Sequence, residues 1–145
     1  MASDDNSEWW TAPAESEDGR LIMVTGRRDI GRFRSNPRIS IRIEIRWVYD
    51  ASASAGMPSD ADAATMGEAT ESMLAVLAKD PAAVMTGIFT GAGERTWVFY
   101  TLSTHIFQKK LNEALAALPL LPLEISAEND PDWEEYAEMD ELAIE

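Results

Sequence analysis

Within the stretch Arg38–Tyr49, polar and apolar residues alternate without a break from Arg38 to Trp47. One face of an extended chain would carry four isoleucines and a tryptophan: Ile39, Ile41, Ile43, Ile45 and Trp47. The other face would carry mainly charged residues: Arg38, Ser40, Arg42, Glu44 and Arg46. This period of two, with β-branched residues that suit a pleated surface, predicts a central strand with one face in a core and the other near water.

The residues before this strand predict a hairpin and a loop. Trp9 and Trp10 lie in a first short strand around Glu8–Thr11, and the apolar run Arg20–Arg27 follows a turn at Asp18 and Gly19. The segment Gly26–Pro37, rich in Arg and Gly, is interpreted as a loop. After the central strand, Asp50–Pro58 has small residues and no period, which indicates a mobile connection.

From Ser59 onward the apolar period becomes helical, and Ser59 or Asp60 is the candidate cap of a helix that ends near Lys79. Two strands, Ala83–Thr90 and Glu94–Leu102, follow with a glycine-containing turn between them. The next elements are predicted in chain order: a second helix capped by Thr104 and stopped by Pro119 and Pro122, a last strand over Leu121–Ala127, and a helical turn from Pro131 capped by Asp130.

The order strand, helix, strand, strand, helix, strand predicts an α+β fold with a ferredoxin-like split βαβ arrangement. Right-handed crossovers place both helices on one face of an antiparallel sheet, which the N-terminal hairpin extends. Arg42, Glu44 and Arg46 would then lie on an open face. A two-layer α/β sandwich with another strand order fits the same elements.

The length and composition indicate a single domain over residues 1–145. With 46% hydrophobic residues, a chain of this size buries roughly 68 to 70% of the surface that it exposes when unfolded. Its predicted parts are a disordered start (1–7), the hairpin and Arg-rich loop (8–37), the ferredoxin-like core (38–127) and an acidic tail that is partly docked (128–145).

Composition also limits the compartment and the kinds of site. The chain has no cysteine, which excludes disulfides and thiolate metal sites. The acidic start has no basic and apolar leader, and no apolar run approaches about 18 residues. We therefore expect a soluble cytoplasmic protein that does not enter membranes.

Charge is the strongest compositional signal. The net charge of -14 disfavours nucleic acid as a direct partner and favours attraction to basic partners. The distribution is uneven: residues 1–19 hold six acidic and no basic residues, and residues 121–145 hold ten acidic and none basic. The segment Arg20–Arg46 contains eight arginines and only two acidic residues, Asp29 and Glu44. A basic segment thus lies within an acidic protein.

Two motifs resemble a known bacterial family. The hairpin Thr86–Tyr100, which contains glycines and ends in Phe-Tyr, and the ending Asp-Pro-Asp-Trp-Glu-Glu-Tyr at Asp130–Tyr136 resemble domain of unknown function 695. The resemblance covers residues 38–136. Domains of this family in turn resemble the B-type regulator of ribonuclease E activity, a small acidic ferredoxin-like inhibitor. The family has no established activity, so the resemblance implies no catalytic residue.

Three other motifs that could bind or react with a ligand are better interpreted as structural features. The G-x-G of Gly91–Gly93 joins two strands and lacks the helix that a phosphate loop needs. His105 is the sole histidine, which leaves a Ser-His-Asp site without support, and a surface position is expected. Paired carboxylates such as Asp130 with Asp132 lack the spacing of a calcium loop and are interpreted as a solvated tail. No cofactor, metal or catalytic residue is predicted.

Two groups of residues remain as candidate binding sites. Arg38, Arg42 and Arg46, with Glu44 between the last two, either pair with carboxylates of the protein itself or bind an anionic group. Trp133 and Tyr136 are three residues apart and either dock the tail or form part of a partner surface.

These features favour a non-enzymatic interaction or regulatory module, an acidic inhibitor of a basic protein such as a nuclease. The alternative is a protein that binds, or acts on, a small anionic ligand at the Arg-lined open face. A third hypothesis is a homodimer through face-to-face sheets, in place of a monomer.

Overall fold

The computed structural model describes residues 9–17, 19–28, 30–50, 56–77, 83–118 and 120–144. The start predicted to be disordered (1–7) and most of the connection predicted to be mobile (51–55) lie outside these residues. The described elements follow in chain order: β1 (Trp9–Glu15), β2 (Leu21–Arg27), α1 (Gly31–Arg34), β3 (Ile41–Val48), α2 (Asp60–Leu77), β4 (Ala83–Gly91), β5 (Glu94–Thr101), α3 (Thr104–Leu115), β6 (Leu123–Asn129), α4 (Glu134–Asp140) and a 3₁₀ helix (Glu141–Ile144).

The strands form one sheet in the order β1-β2-β4-β5-β3-β6, and each neighbouring pair is antiparallel. This confirms an α+β fold. The N-terminal hairpin extends the sheet through β2 and β4, as predicted. Strand β3 lies between β5 and β6, so that Ile43 is opposite Phe99 on one side and Ala127 on the other.

Helices α2 and α3 pack against each other and against one face of the sheet. Alternate residues of β3 and β5, such as Ile45 and Phe99, point into this layer because successive side chains of a strand lie on opposite faces. Met66 and Met73 of α2 are fully buried against them, and Phe107 of α3 meets the ring of Phe99 edge to face with 4.9 Å between centroids. This layer is the main hydrophobic core.

The opposite face was predicted to be open, and this prediction is wrong for a large part of it. A second apolar core forms there from the sheet, the loop with α1 and the C-terminal segment (residues 130–144). Val98 and Tyr100 of β5 alternate with the residues of the first core, and Trp133, Tyr136 and Met139 cover them. The 3₁₀ helix then lies against β1.

Several predicted boundaries shift by a few residues. Strand β3 begins at Ile41, three residues after the predicted start, and Ile39 packs in the second core instead of continuing the first apolar row. Ser103, and not Thr104, caps α3, because its hydroxyl accepts the N–H of Ile106. The Arg-rich loop contains the short helix α1, and β6 begins at Leu123.

The C-terminal segment rests on a pair of glycines that sequence inspection did not single out. Gly26 of β2 and Gly87 of β4 are opposite each other in the ladder, and Met139 sits over both. A Cβ on Gly26 would overlap the Trp10 ring and come within 2.9 Å of the Met139 Cε. Helix α4 can approach the sheet here because neither residue has a side chain.

We therefore expect Gly87→Ala to lower the free energy of unfolding by about 1–3 kcal/mol, since its Cβ would overlap the Met139 sulfur in a packed core. Adding Met139→Ala should cost less in this variant than in the wild type. Urea denaturation of the four proteins measures this coupling. Gly67→Ala is the control: it lies in α2 with open space around it and should stabilise the protein by up to about 1 kcal/mol. If the losses of stability from Gly87→Ala and Met139→Ala are strictly additive in the double variant, the contact between residues 87 and 139 is contradicted.

Candidate functional site

The structure separates Arg38 from the other two arginines of the predicted row, Arg42 and Arg46. Arg42 and Arg46 lie in β3 with Glu44 between them, on the face opposite α2 and α3. Arg38 precedes the strand in an exposed turn, where its backbone N–H donates to the Asn36 side chain at 3.0 Å. The row therefore has two arginines instead of three.

Arg42 is enclosed by carboxylates. Only 17% of its side chain is exposed, and its Nε donates to Glu44 at 3.0 Å while Nη1 donates to Asp130 at 3.1 Å. Its Nη2 donates to Glu128 on the neighbouring strand β6. Burial opposes the charge of the guanidinium, but the carboxylates, with Glu44 foremost, raise the pKa of Arg42. Each of the three guanidinium nitrogens thus has a carboxylate partner within the protein.

Arg46 is more open to solvent. Its side chain is 48% exposed, and its Nη2 donates to Glu124 of β6 at 2.6 Å. Its Nε lies 3.4 Å from a carboxylate oxygen of Glu94 on β5. The hydrogen bond with Glu124 and the charge of Glu94 raise the pKa of Arg46. An exposed ion pair of this kind exchanges easily, so Arg46 is the arginine of the pair that can meet a ligand.

Asp130 joins the sheet to the C-terminal segment. It is 6% exposed, in contrast to the solvated carboxylate that the sequence predicted. Its oxygens accept the Tyr100 hydroxyl at 2.7 Å and the backbone N–H groups of Glu134 and Glu135 at 2.9 and 3.2 Å. It therefore caps the first turn of α4 from a position before the helix, which begins later than the predicted Pro131.

The pKa values in this cluster follow from its geometry. Burial alone would raise the pKa of Asp130, but hydrogen bonds from Tyr100, the α4 backbone and Arg42 lower it below its usual value. Burial and the hydrogen bond to Asp130 raise the pKa of Tyr100, so the phenol stays protonated as a donor. Burial and the neighbouring acids raise the pKa of Glu135, which Arg42 offsets only in part.

Trp133 and Tyr136 lie inside the second core. The Trp133 ring stacks on Tyr100 with 4.1 Å between centroids, and its Nε1 donates to the Ile39 carbonyl at 2.8 Å. The Tyr136 hydroxyl donates to the Arg27 carbonyl, and the Arg34 guanidinium lies over its ring at 5.1 Å. At 1% and 5% exposure, both side chains dock the segment in this conformation.

Tyr100 is the member of this cluster that sequence inspection did not select. It ends the Phe-Tyr pattern of the hairpin, and its hydroxyl both donates to Asp130 and accepts the Tyr136 N–H at 3.3 Å. The Phe-Tyr hairpin and the Asp-Pro-x-Trp-x-x-Tyr ending, which carried the family resemblance, thus contact each other directly. They form one structural unit.

The part of this face that the C-terminal segment leaves uncovered forms a cleft of about 560 Å³. The cleft is lined by charged residues of both signs: Arg20, Arg46, Glu17, Glu44 and Glu94. Phe89 and Ile22 also line it. A small ligand bound here would meet arginines and carboxylates together.

The remaining candidates have structural roles or none. Gly91–Gly93 forms the turn between β4 and β5, and a Cβ on Gly91 would overlap the Leu21 carbonyl oxygen of the adjacent strand. His105 is exposed in the first turn of α3. In the described part of the chain, no group of three or more His, Asp or Glu residues is arranged to hold a metal ion. No helix among the described residues is long and apolar enough to span a membrane.

Comparison with known proteins gives a match to a family model. No curated protein and no solved structure matches the chain. A family model matches residues 8–139, a range that includes the hairpin, the sheet and most of the docked C-terminal segment. The chain therefore belongs to the family of unknown function DUF695.

Proposed function

We propose that this protein is a non-enzymatic interaction module that binds and regulates a basic partner protein, with a basic nuclease as the partner class. The observation that carries the proposal is the internal pairing of the arginines on the sheet. Arg42 and Arg46 are matched by Glu44, Glu94, Glu124, Glu128 and Asp130. The net charge of -14 then acts on partners as an acidic surface.

We infer further that β3 to β6 form a ferredoxin-like split βαβ unit. The order β4-β5-β3-β6 and the helices after β3 and β5 support this. The β1-β2 hairpin and the C-terminal segment are then additions to the unit. The hairpin widens the sheet, and the C-terminal segment covers part of one face and leaves the rim to a partner.

The acidic surface accounts for specificity through charge. Asp132, Glu134 and Glu138 of the C-terminal segment are exposed, and residues 121–144 include no lysine or arginine. Such a surface accelerates encounter with a basic protein and weakens sharply as salt rises. The partner is therefore expected to be released by salt alone.

The test is capture of partners by the tagged protein from host lysate, followed by titration of the purified partner at rising salt. We expect one basic protein whose affinity falls at least about tenfold between 50 and 500 mM salt. Arg46→Gln makes the surface more acidic and should preserve or strengthen binding. An acidic partner, or binding that salt leaves unchanged, would contradict the proposal.

A second candidate function is binding of a small anion in the cleft beside Arg46. The half-exposed guanidinium of Arg46, with Arg20 on the same cleft, favours it. Under this function, phosphate or a dicarboxylate raises the melting temperature and Arg46→Gln abolishes the rise. The same substitution thus separates the two functions, because it spares binding of a basic partner and removes binding of an anion.

A further inference from the structure

The two edges of the sheet are protected very differently. Strand β1 carries Pro13, which cannot donate a ladder hydrogen bond, and the 3₁₀ helix lies against this strand. Strand β6, at the other edge, pairs with β3 alone among the described strands and contains neither proline nor glycine over its seven residues. About half of its backbone N–H and C=O groups point away from β3, since these groups alternate along a strand. The edge of β6 can therefore accept another strand.

An apolar groove runs beside this edge on the side of α3. Two adjoining cavities of about 520 and 260 Å³ share Leu111 of α3 and Ile125 of β6 as lining residues. Ile125 is 52% exposed, and Leu120 at the entrance to β6 is fully exposed. A strand added to β6 would place alternate side chains in this groove, because side chains of paired strands on one face lie side by side.

The other face of β6 is acidic. Glu124 and Glu128 each give one oxygen to an arginine of β3, yet their side chains remain 71% and 67% exposed. The alternate side chains of an added strand would lie next to these two carboxylates. Lysine or arginine at those positions meets opposite charge, whereas glutamate meets like charge.

We propose that the β6 edge binds an extended segment of a basic partner, in which apolar residues alternate with lysine or arginine, as a seventh strand of the sheet. This rests on the proposed function and names the binding surface for it. A second copy of the chain is the wrong occupant, because each copy carries a net charge of -14 and β6 would bring the same glutamates together. Main-chain pairing supplies affinity, and the groove and the glutamates select the sequence.

The first experiment uses a defined probe, the acetylated and amidated peptide Lys-Val-Lys-Val-Lys-Val-Lys, titrated into the full-length protein and followed by NMR of the backbone amides. We expect the largest shifts in β6 and along α3, and affinity that falls as salt rises. The same peptide methylated at alternate backbone nitrogens cannot pair along the edge and should not bind. Shifts confined to other parts of the protein would overturn the proposal, as would equal binding of a Glu-Val peptide.

Two variants with matched controls test the groove and the charge. Ile125→Thr keeps a β-branched side chain and should weaken binding about tenfold, because it removes apolar area from the contact. Val48→Thr, which is 58% exposed on the opposite face, should leave binding unchanged. Glu124→Gln with Glu128→Gln should weaken binding more than Glu68→Gln with Glu71→Gln, which lowers the charge of exposed α2 sites equally.

The outcomes separate this proposal from the proposed function. A captured basic partner that binds Ile125→Thr as well as the wild type leaves the proposed function standing and overturns the role of β6. If no basic partner binds while the peptide still binds at β6, the proposed function is wrong and the β6 edge remains a binding site for a basic strand. A dimer in sedimentation that Ile125→Thr dissociates would make a second copy the occupant, and the proposal of a basic strand would be wrong.

Discussion

Trp133→Ala is expected to lower the free energy of unfolding by about 3–5 kcal/mol, the range for deleting a buried aromatic side chain. The ring is 1% exposed, stacks on Tyr100 and donates to the Ile39 carbonyl, so its removal leaves a cavity and an unpaired buried carbonyl. The second core brings residues of β2, such as Val24, together with Trp133 and other residues of the C-terminal segment. Urea denaturation followed by circular dichroism measures the loss.

Two control variants separate the contributions of Trp133. Trp133→Phe keeps an aromatic ring against Tyr100 but loses the hydrogen bond to Ile39, and should lie between the wild type and the alanine variant. Glu138→Ala changes an exposed residue of α4, the helix that follows Trp133, and should stay within about 0.5 kcal/mol of the wild type. If Trp133→Ala is as stable as Glu138→Ala, the docking of the C-terminal segment is wrong.

Asp130→Ala is expected to cost about 3–5 kcal/mol, because it leaves the Arg42 charge with one partner fewer and the Tyr100 hydroxyl without its acceptor in a buried site. It also removes the cap of α4, so Glu134 and Glu135 lose the acceptor for their backbone N–H groups. Asp130→Asn should cost less, since the amide keeps an acceptor oxygen. Asp132→Asn, two residues away and exposed, is the matched control.

The pH dependence of the same variants provides a separate measurement. Because the folded pKa of Asp130 lies below its unfolded value of about 3.9, the ionised carboxylate stabilises the fold fully above the unfolded pKa. This contribution is lost as the pH falls through the folded pKa. The difference in unfolding free energy between wild type and Asp130→Asn should therefore be largest near neutral pH and shrink below about pH 4. A difference that stays constant down to pH 2 would show that the charge of Asp130 does not stabilise the fold.

The contacts of Asp130, Trp133 and Tyr136 give a physical reason for the spacing of these residues in this chain. Asp130 turns back to the sheet, Trp133 adopts a left-handed backbone conformation with φ of 55°, and Tyr136 follows one helical turn later. The left-handed residue reverses the chain so that the carboxylate and the indole both point at Tyr100. The ending Asp-Pro-x-Trp-x-x-Tyr is therefore a docking device for the C-terminal segment.

The docked segment also determines which surfaces remain for partners. It covers Val98 and Tyr100 of β5 and reaches β1, so the middle of the second face and the far edge of the sheet are occupied. Among the described surfaces of the sheet, the cleft beside Arg46 and the edge of β6 with its groove stay exposed. Both lie next to the carboxylates of Glu124 or Glu94, and this placement is the reason that we propose an acidic interaction module ahead of an anion-binding protein.

The sequence by itself determined the local elements of this protein, because each depends on neighbours in the chain. The alternation of Ile41, Ile43 and Ile45 specifies a strand with one apolar face, and the glycine turn before Glu94 specifies a hairpin. The two helices follow from their apolar period in the same way. The resemblance of the hairpin and the ending to DUF695 was also readable from the residues alone and is confirmed.

Only the tertiary structure decided which distant groups meet. Ile39 leaves the apolar row because the strand begins two residues later, and Asp130 is buried because it lies beside Arg42, 88 residues earlier in the chain. A periodic pattern identifies a buried face but carries no information on what covers the opposite face. Strand order and register place the carboxylates of β6 beside the arginines of β3. Gly26 and Gly87, which are opposite each other, leave the space that the Met139 side chain occupies. Those contacts change a predicted open arginine face into a neutralised and partly covered one.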